Sequence, residues 1–407
     1  MSLDLTALGH QVRQMSNSLA HHANAIADRI TTLRDAYLAQ SGNERVVEQM
    51  VATSLSTATW LLARPMALPH TEPLNTIRDV PPRPPSYVLV ATDGSQIGID
   101  HHGIATCYLI NIGQVWLRYG DPPGARLSSR PTLYYRDEDL FFNDGAKRIP
   151  IEGNYLNARR DVQELLSLTD LAEEMFDGSN PEVALQDGTL IRWTLAGAEN
   201  VVQDRLLAPY LTSLEYLRVH HIPTASYISR PRTTDVVGLI RLLCCPDIDV
   251  QEQRGARCSQ CSDVLAKRPP SCAPCNGLVD ADIFAQHLAE GQRSPLFIST
   301  SRINIETYHH HLIHFFYMRV GREIVRIEVP QWVAHTPEQV DLIHAVVYNQ
   351  CVKGQGYPVA LARAHEQAVV RGADRHVFQR MIRESFVRAN LPSTPSQKQE
   401  SKDVCRL

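Results

Sequence analysis

Between Tyr87 and Ser229 the hydrophobic pattern changes period in a fixed order, and that order limits the possible folds more than any other feature. Tyr87 to Ile99, Gly103 to Asn111 and Gln114 to Tyr119 read as short successive strands with turn residues between them, and Thr132 to Tyr135 as another. Asn154 to Phe176 is helical in pattern, with Leu156, Val162, Leu165, Leu166 and Leu171 recurring near the helical period. Val183 to Gln186 predicts a short strand, Thr194 to Val219 a second helical run, and His221 to Ser229 a closing strand. Antiparallel strands followed by helix, strand, helix, strand imply an α/β fold, a mixed sheet covered by helices.

Two of these apolar runs end in the same way, one at Asp93-Gly94-Ser95 and the other at Asp187-Gly188-Thr189. A buried strand that stops at such a sequence leaves a carboxylate at a sheet edge, on a turn that glycine makes easily. Either alone is an ordinary turn dipeptide. As a pair on neighbouring strands, separated by an acid-rich helix, Asp93 and Asp187 are candidate ligands for a hard divalent cation. The element order matches the ribonuclease H-like fold, whose nucleases carry metal carboxylates on the first strand, a helix and a central strand.

The motifs in sequence resemble a known family. Asp93-Gly94-Ser95, Asp187-Gly188-Thr189, the segment Tyr227 to Arg232, the run Arg326-Ile327-Glu328-Val329-Pro330, Gly356-Tyr357-Pro358 and Ala364-His365-Glu366 are similar, in that order, to NurA nucleases over about Tyr87 to Phe386. The resemblance implies a Mn²⁺- or Mg²⁺-dependent deoxyribonuclease with single-strand endonuclease and 5′-3′ exonuclease activity in DNA end processing. It also implies a ring-shaped homodimer and a HerA-like hexameric ATPase as partner. Glu164, after Arg159-Arg160-Asp161, fits the family's acidic helix and is the third candidate ligand; Asp161, Asp170 and Glu173 are alternatives. Tyr357 and His365 are implied to belong to the site, with His365 able to bind metal or move a proton. Arg230 stands best at the family's basic position, often a lysine, and a guanidinium there can grip a phosphate. Arg232, Arg192, Arg363 and Arg371 are candidates for extending a phosphate track.

Cys258-x-x-Cys261 and Cys272-x-x-Cys275 form two knuckles whose four thiolates suit a tetrahedral structural Zn²⁺. Such a site has no open position for catalysis. His309-His310-His311 with His314 looks metal-rich, but on a strand the first three alternate between faces, so at most two could converge. Asp341 and His344 are at helical spacing, which an exposed helix face explains.

The 407 residues suffice for one large domain with additions or for two. Leu3 to Arg64 predicts two helices broken near Gln40 to Asn43, and Val80 to Ser86 a stiff proline-rich linker. A nuclease-like region over 87–390 would then hold a cysteine-rich insertion at 244–277, followed by a polar tail at 391–407. Leu312 to Val320 and Glu323 to Val329 predict a hairpin, and Pro337 to Lys353, Pro358 to Arg371 and Arg375 to Ala389 three helices. No apolar run is long enough for a membrane span, the N-terminus lacks an export pattern, and nine cysteines suit a reducing cytoplasm. A formal charge of −4 confines DNA contact to local basic patches. Two other readings share these features: a catalytically silent clamp for DNA or an ATPase, and an RNA-cutting enzyme. With no P-loop in the sequence, any ATP-driven motion comes from a partner.

Overall fold

The computed structural model describes residues 4–145 and 147–392, without the side chains of 21–24; the polar tail after Pro392 lies outside the described residues. The chain forms two compact units, each assembled from separate segments. Of the described residues, a smaller one takes those within 4–79, 229–301 and 314–326, and a larger one takes those within 80–228, 302–313 and 327–392.

The larger unit contains strands β1 (Tyr87–Ile97), β2 (Tyr108–Tyr119) and β3 (Gly124–Tyr134), then helix α1 (Gly153–Met175), β4 (Glu182–Asp187), α2 (Asn200–Val219) and β5 (Thr224–Ile228). Helices α3 (Pro337–Lys353), α4 (Val359–Ala368) and α5 (Gly372–Arg388) follow. The strands lie in the order β3-β2-β1-β4-β5. β1, β2 and β3 pair antiparallel, whereas β1, β4 and β5 run parallel. This mixed α/β sheet, with its first strand at the centre, has the ribonuclease H-like topology. β1 is central because Val88 to Ala91 is apolar throughout and buried on both faces. Against it α1 buries Leu156, Val162, Leu165, Leu168 and Leu171, and α2 contributes Leu206, Tyr210, Leu214 and Leu217. Each such leucine stabilises the unit by roughly 1.5–3 kcal/mol.

Three departures from the sequence pattern have physical causes. β2 is one strand through Gly113, not two. A Cβ on Gly113 would stand 2.1 Å from the Ala364 carbonyl oxygen and 2.6 Å from Ala368 N, so the glycine admits α4 rather than making a turn. As read from the sequence, β1 runs on through Gly94, reaching Ile97, and Gly188, at φ +77°, makes the turn that ends β4. β3 is far longer than Thr132 to Tyr135 because it is a mostly exposed edge strand that needs no apolar alternation. The segment after Thr194 is only a short 3-10 turn, and α2 begins at Asn200.

In the smaller unit the N-terminal helices Leu5–Leu38 and Glu44–Ser54 share a core with helix Asp235–Leu243 through Leu33, Tyr37, Val47, Val51, Leu239 and Phe284. Strand Phe297–Ser299 pairs antiparallel with Ala63–Pro65 and with the strand Ile313–Val320. No described helix is long and apolar enough to cross a membrane.

Candidate active site

Parallel pairing of β1 and β4 sets the centre of the site. Thr92 is in register with Gln186, so the next residues, Asp93 and Asp187, stand side by side where the two central strands approach their ends. They are in the middle of the strand order, not on a lateral edge. Pleating sends Asp93 and Ser95 to one face of the sheet and Thr92 and Gly94 to the other. Helix α4 covers the first face, since Ser95 Oγ donates to the Ala368 carbonyl at 2.5 Å and Asn111 Nδ2 to the same oxygen at 2.7 Å. Seated in this way, α4 brings His365 Nδ1 to 2.7 Å from Asp93 Oδ2. Pro358 is the residue before the helix rather than its first position, which leaves Tyr357 in the preceding loop. Tyr357 hydrogen-bonds Asp187, and its ring meets Tyr227 edge-on at 5.4 Å.

Glu164 arrives from α1, on the opposite face. Thr92 Oγ1 donates to its backbone carbonyl at 2.9 Å, and its carboxylate lies against Gly94. A Cβ on Gly94 would be 2.5 Å from Glu164 Oε1 and 2.9 Å from Arg160 Cγ. The Asp-Gly-Ser motif therefore divides three tasks: Asp93 presents a carboxylate, Gly94 makes room for a second one, and Ser95 seats the helix carrying His365.

The acids perturb one another. Burial, then the charges of Asp161 and Asp93, pushes Glu164 up to about 8 against the opposing pull of Arg160 and Arg192. Burial also raises Asp187, with Asp93 adding to the rise and the Tyr357 hydrogen bond opposing it. Burial beside Asp187 drives the Tyr357 phenol far above its ordinary value. Arg160 Nε lies 3.2 Å from Glu164 Oε1, one helical turn away, and the buried Arg192 lies 3.5 Å from Asp161 Oδ2. The sequence had suggested Arg192 for a phosphate track, but it is 4% exposed and covered by Tyr210. Arg160 was missed as a neutralising residue, although its four-residue spacing to Glu164 was a usable signal. Asp170 and Glu173, the other helix acids considered, face solvent.

The five residues Asp93, Glu164, Asp187, Tyr357 and His365 thus belong to one unit and interact. Each carboxylate is engaged by its own partner, and no three of their ligand atoms lie within 4.8 Å of one another among the described residues. Arg230 belongs to the smaller unit, where its Nε donates to Glu323 at 2.8 Å. Arg363 is exposed and paired with Glu366, and the Arg371 backbone caps α5 through Asp374. His344, expected on an exposed face, is fully buried.

The smaller unit also carries the cysteine motifs. Cys258 is exposed, Cys261 and Cys272 are half-buried, and Cys275 is buried. The Cys275 thiol shares a hydrogen bond with Cys244, a residue outside both motifs. No three of these sulfurs lie within 4.8 Å of one another among the described residues.

Strand order and clustered acids define the class: a ribonuclease H-like nuclease fold with its carboxylates on the first strand, the following helix and the fourth strand. The NurA domain model matches residues 87–370, and the chain belongs to the NurA family of nucleases. Among solved structures, a crystal structure of NurA with manganese is similar at 13% identity, covering 78% of this chain and 92% of that one with a TM-score of 0.38. The catalytic domain of human endonuclease V is similar at 13% identity, with coverages of 72% and 83% and a TM-score of 0.30. No curated protein sequence matches the chain.

Proposed function

We propose that this protein is a metal-dependent DNA nuclease acting in DNA end processing as a homodimer with a HerA-like ATPase, combining single-strand endonuclease and 5′-3′ exonuclease activity, with Asp93, Glu164 and Asp187 as its metal-binding acids. The observation that carries the catalytic part is the register of β1 and β4, which sets Asp93 beside Asp187 on one face. The donor set fits Mn²⁺ or Mg²⁺: all three groups offer hard oxygens, and the upward shifts of Glu164 and Asp187 reflect burial and repulsion that a dication relieves. When bound, such ions supply charge neutralisation at the scissile phosphate and activation of the attacking water.

The chain's own groups do the rest. His365 Nδ1 orients Asp93, leaving Nε2 of a ring whose side chain is 66% exposed to hold metal or accept a proton at the open side of the site. Tyr357 fixes Asp187 and favours its ionised form. Arg160 and Arg192 hold Glu164 and Asp161 and lower the cost of gathering acids. The four motif cysteines would hold a structural Zn²⁺ apart from the chemistry only on drawing together, with Cys275 leaving Cys244.

Replacing Asp93 or Asp187 by alanine tests the reading. Cleavage of single-stranded DNA with Mn²⁺ should disappear in both variants, and EDTA should stop the native protein, while the melting temperature and oligomeric state remain. Undiminished cleavage by either purified variant discards the assignment. Matched DNA and RNA oligonucleotides, digested in parallel, test the substrate.

A further inference from the structure

The triple histidine does not lie on a strand. His309 to His311 form a 3-10 turn, which brings two successive rings to the same neighbour. His310 Nε2 lies 2.9 Å and His311 Nε2 3.4 Å from Glu215 Oε2, near the end of α2. The three ligand atoms fall within 4.8 Å of one another, the single such group of histidine, cysteine or acid side chains among the described residues. All three belong to the larger unit.

We propose that Glu215, His310 and His311 form a second metal site, for a borderline transition-metal dication of the Zn²⁺ or Co²⁺ class. Two imidazole nitrogens and one carboxylate oxygen are the donors that such ions prefer over Mg²⁺. Two ligands on a tetrahedral zinc sit about 3.3 Å apart, given bonds of about 2.0–2.1 Å. The His311 separation of 3.4 Å already meets this, and the His310 contact has only to open slightly. His311 is 3% exposed, so its ring is held in place beside Glu215. His310, mostly exposed, provides the entry side, and a fourth position remains for water. Arg218 holds Glu215 with Nη2 at 2.6 Å from Oε1 and Nε at 2.7 Å from Oε2. Its hold on Oε1 orients the carboxylate, whereas the Nε contact competes with the ion and must be released.

Position suggests what the ion does. Tyr308, next to the histidines, and Tyr210, on the helix that carries Glu215, both donate to the Leu190 carbonyl, at 2.8 and 2.9 Å. Tyr308 Oη also accepts from Arg192 N at 2.8 Å. An ion joining α2 to the histidine turn therefore clamps the two elements that hold the segment directly after Asp187. The site is structural, chemically distinct from the carboxylate cluster, and independent of the nuclease proposal.

Co²⁺ titration of the full-length protein tests this, because tetrahedral nitrogen and oxygen ligation gives visible d–d bands without the thiolate charge-transfer absorption of a cysteine site. The native protein should show these bands, and Zn²⁺ but not Mg²⁺ should bleach them. Glu215→Gln and His310→Ala, both at accessible side chains, should each weaken the Co²⁺ binding that gives these bands by about 10–100-fold and lower the Zn²⁺-induced rise in melting temperature. Bands and melting shifts unchanged in both variants, or absent from the native protein, overturn the proposal.

Discussion

Both units bury acids beside arginines, and they use them differently. In the smaller unit Asp235, Asp280, Tyr317 and Arg326 are all completely buried. Every carboxylate oxygen there has an internal donor: Arg326 on Asp235 Oδ2 at 3.1 Å, Ser299 on Oδ1 at 3.3 Å, Val237 N on Asp280 Oδ1 at 2.7 Å and Tyr317 on Oδ2 at 2.6 Å. The guanidinium also lies 3.6 Å over the Phe315 ring. In the larger unit Asp93, Asp161, Glu164 and Asp187 are set against the permanent cations Arg160 and Arg192, and the exposed His365 leaves one side open. Burial pushes Asp280 up to about 7 and Glu164 up to about 8, so the perturbation is nearly the same. A shifted carboxyl therefore does not by itself mark a reactive site. Access and an excess of acid over base do.

The comparison breaks if the open cluster proves dispensable. Asp187→Ala should lower Mn²⁺-supported DNA cleavage by at least about 10³-fold, the scale of several kcal/mol of lost transition-state stabilisation. Its melting temperature should stay close to that of the native protein, because relieving acid repulsion offsets lost contacts. The sealed network should respond in the opposite manner. Arg326→Met leaves Asp235 charged and uncompensated in the core, a loss of about 3–5 kcal/mol. Urea unfolding of the two variants measures the contrast; equal destabilisation would show that the clusters are not different in kind.

Gly94 sharpens the same contrast at smaller scale. If it served only a turn, alanine would be tolerated, since β1 is extended there and no left-handed backbone is required. Because the added methyl would press on Glu164 and Arg160, Gly94→Ala should cost about 1–3 kcal/mol and lower cleavage roughly tenfold or more. A fully active Gly94→Ala enzyme would show that Glu164 has no need of its present place.

How much of this was legible in the sequence depends on the range of the interaction. Period changes located β1, α1, β4 and β5, because burial imprints itself locally, and α3 was read to its ends at Pro337 and Lys353. The Asp187-Gly188 turn was legible for the same reason. The parts that failed depend on distant partners. Gly113 looks like a break until α4 is placed against it, and the room that Gly94 leaves for Glu164 shows only once α1 is in place. β3 carries little apolar signal because it lies on the sheet edge. The burial of Arg192 under Tyr210 and the union of His310 and His311 with Glu215 join residues far apart in the chain. Nothing local distinguishes those side chains from solvated ones.

Tyr357 provides the finest test of the open cluster. Burial raises Asp187 and the Tyr357 hydrogen bond opposes that rise, so the phenol favours the charged carboxylate. Tyr357→Phe removes the donor and keeps the ring against Tyr227, at a cost of about 0.5–1.5 kcal/mol. The sign follows directly: Asp187 becomes harder to ionise, so the acid limb of the pH–activity profile should move to higher pH. More Mn²⁺ should be needed for half-maximal cleavage at a fixed pH on that limb, and raising the pH should restore most of the rate. A proportional loss at every pH would instead make Tyr357 a contact for substrate. A profile identical to that of the native enzyme would remove both Tyr357 and its hydrogen bond from the account of the site.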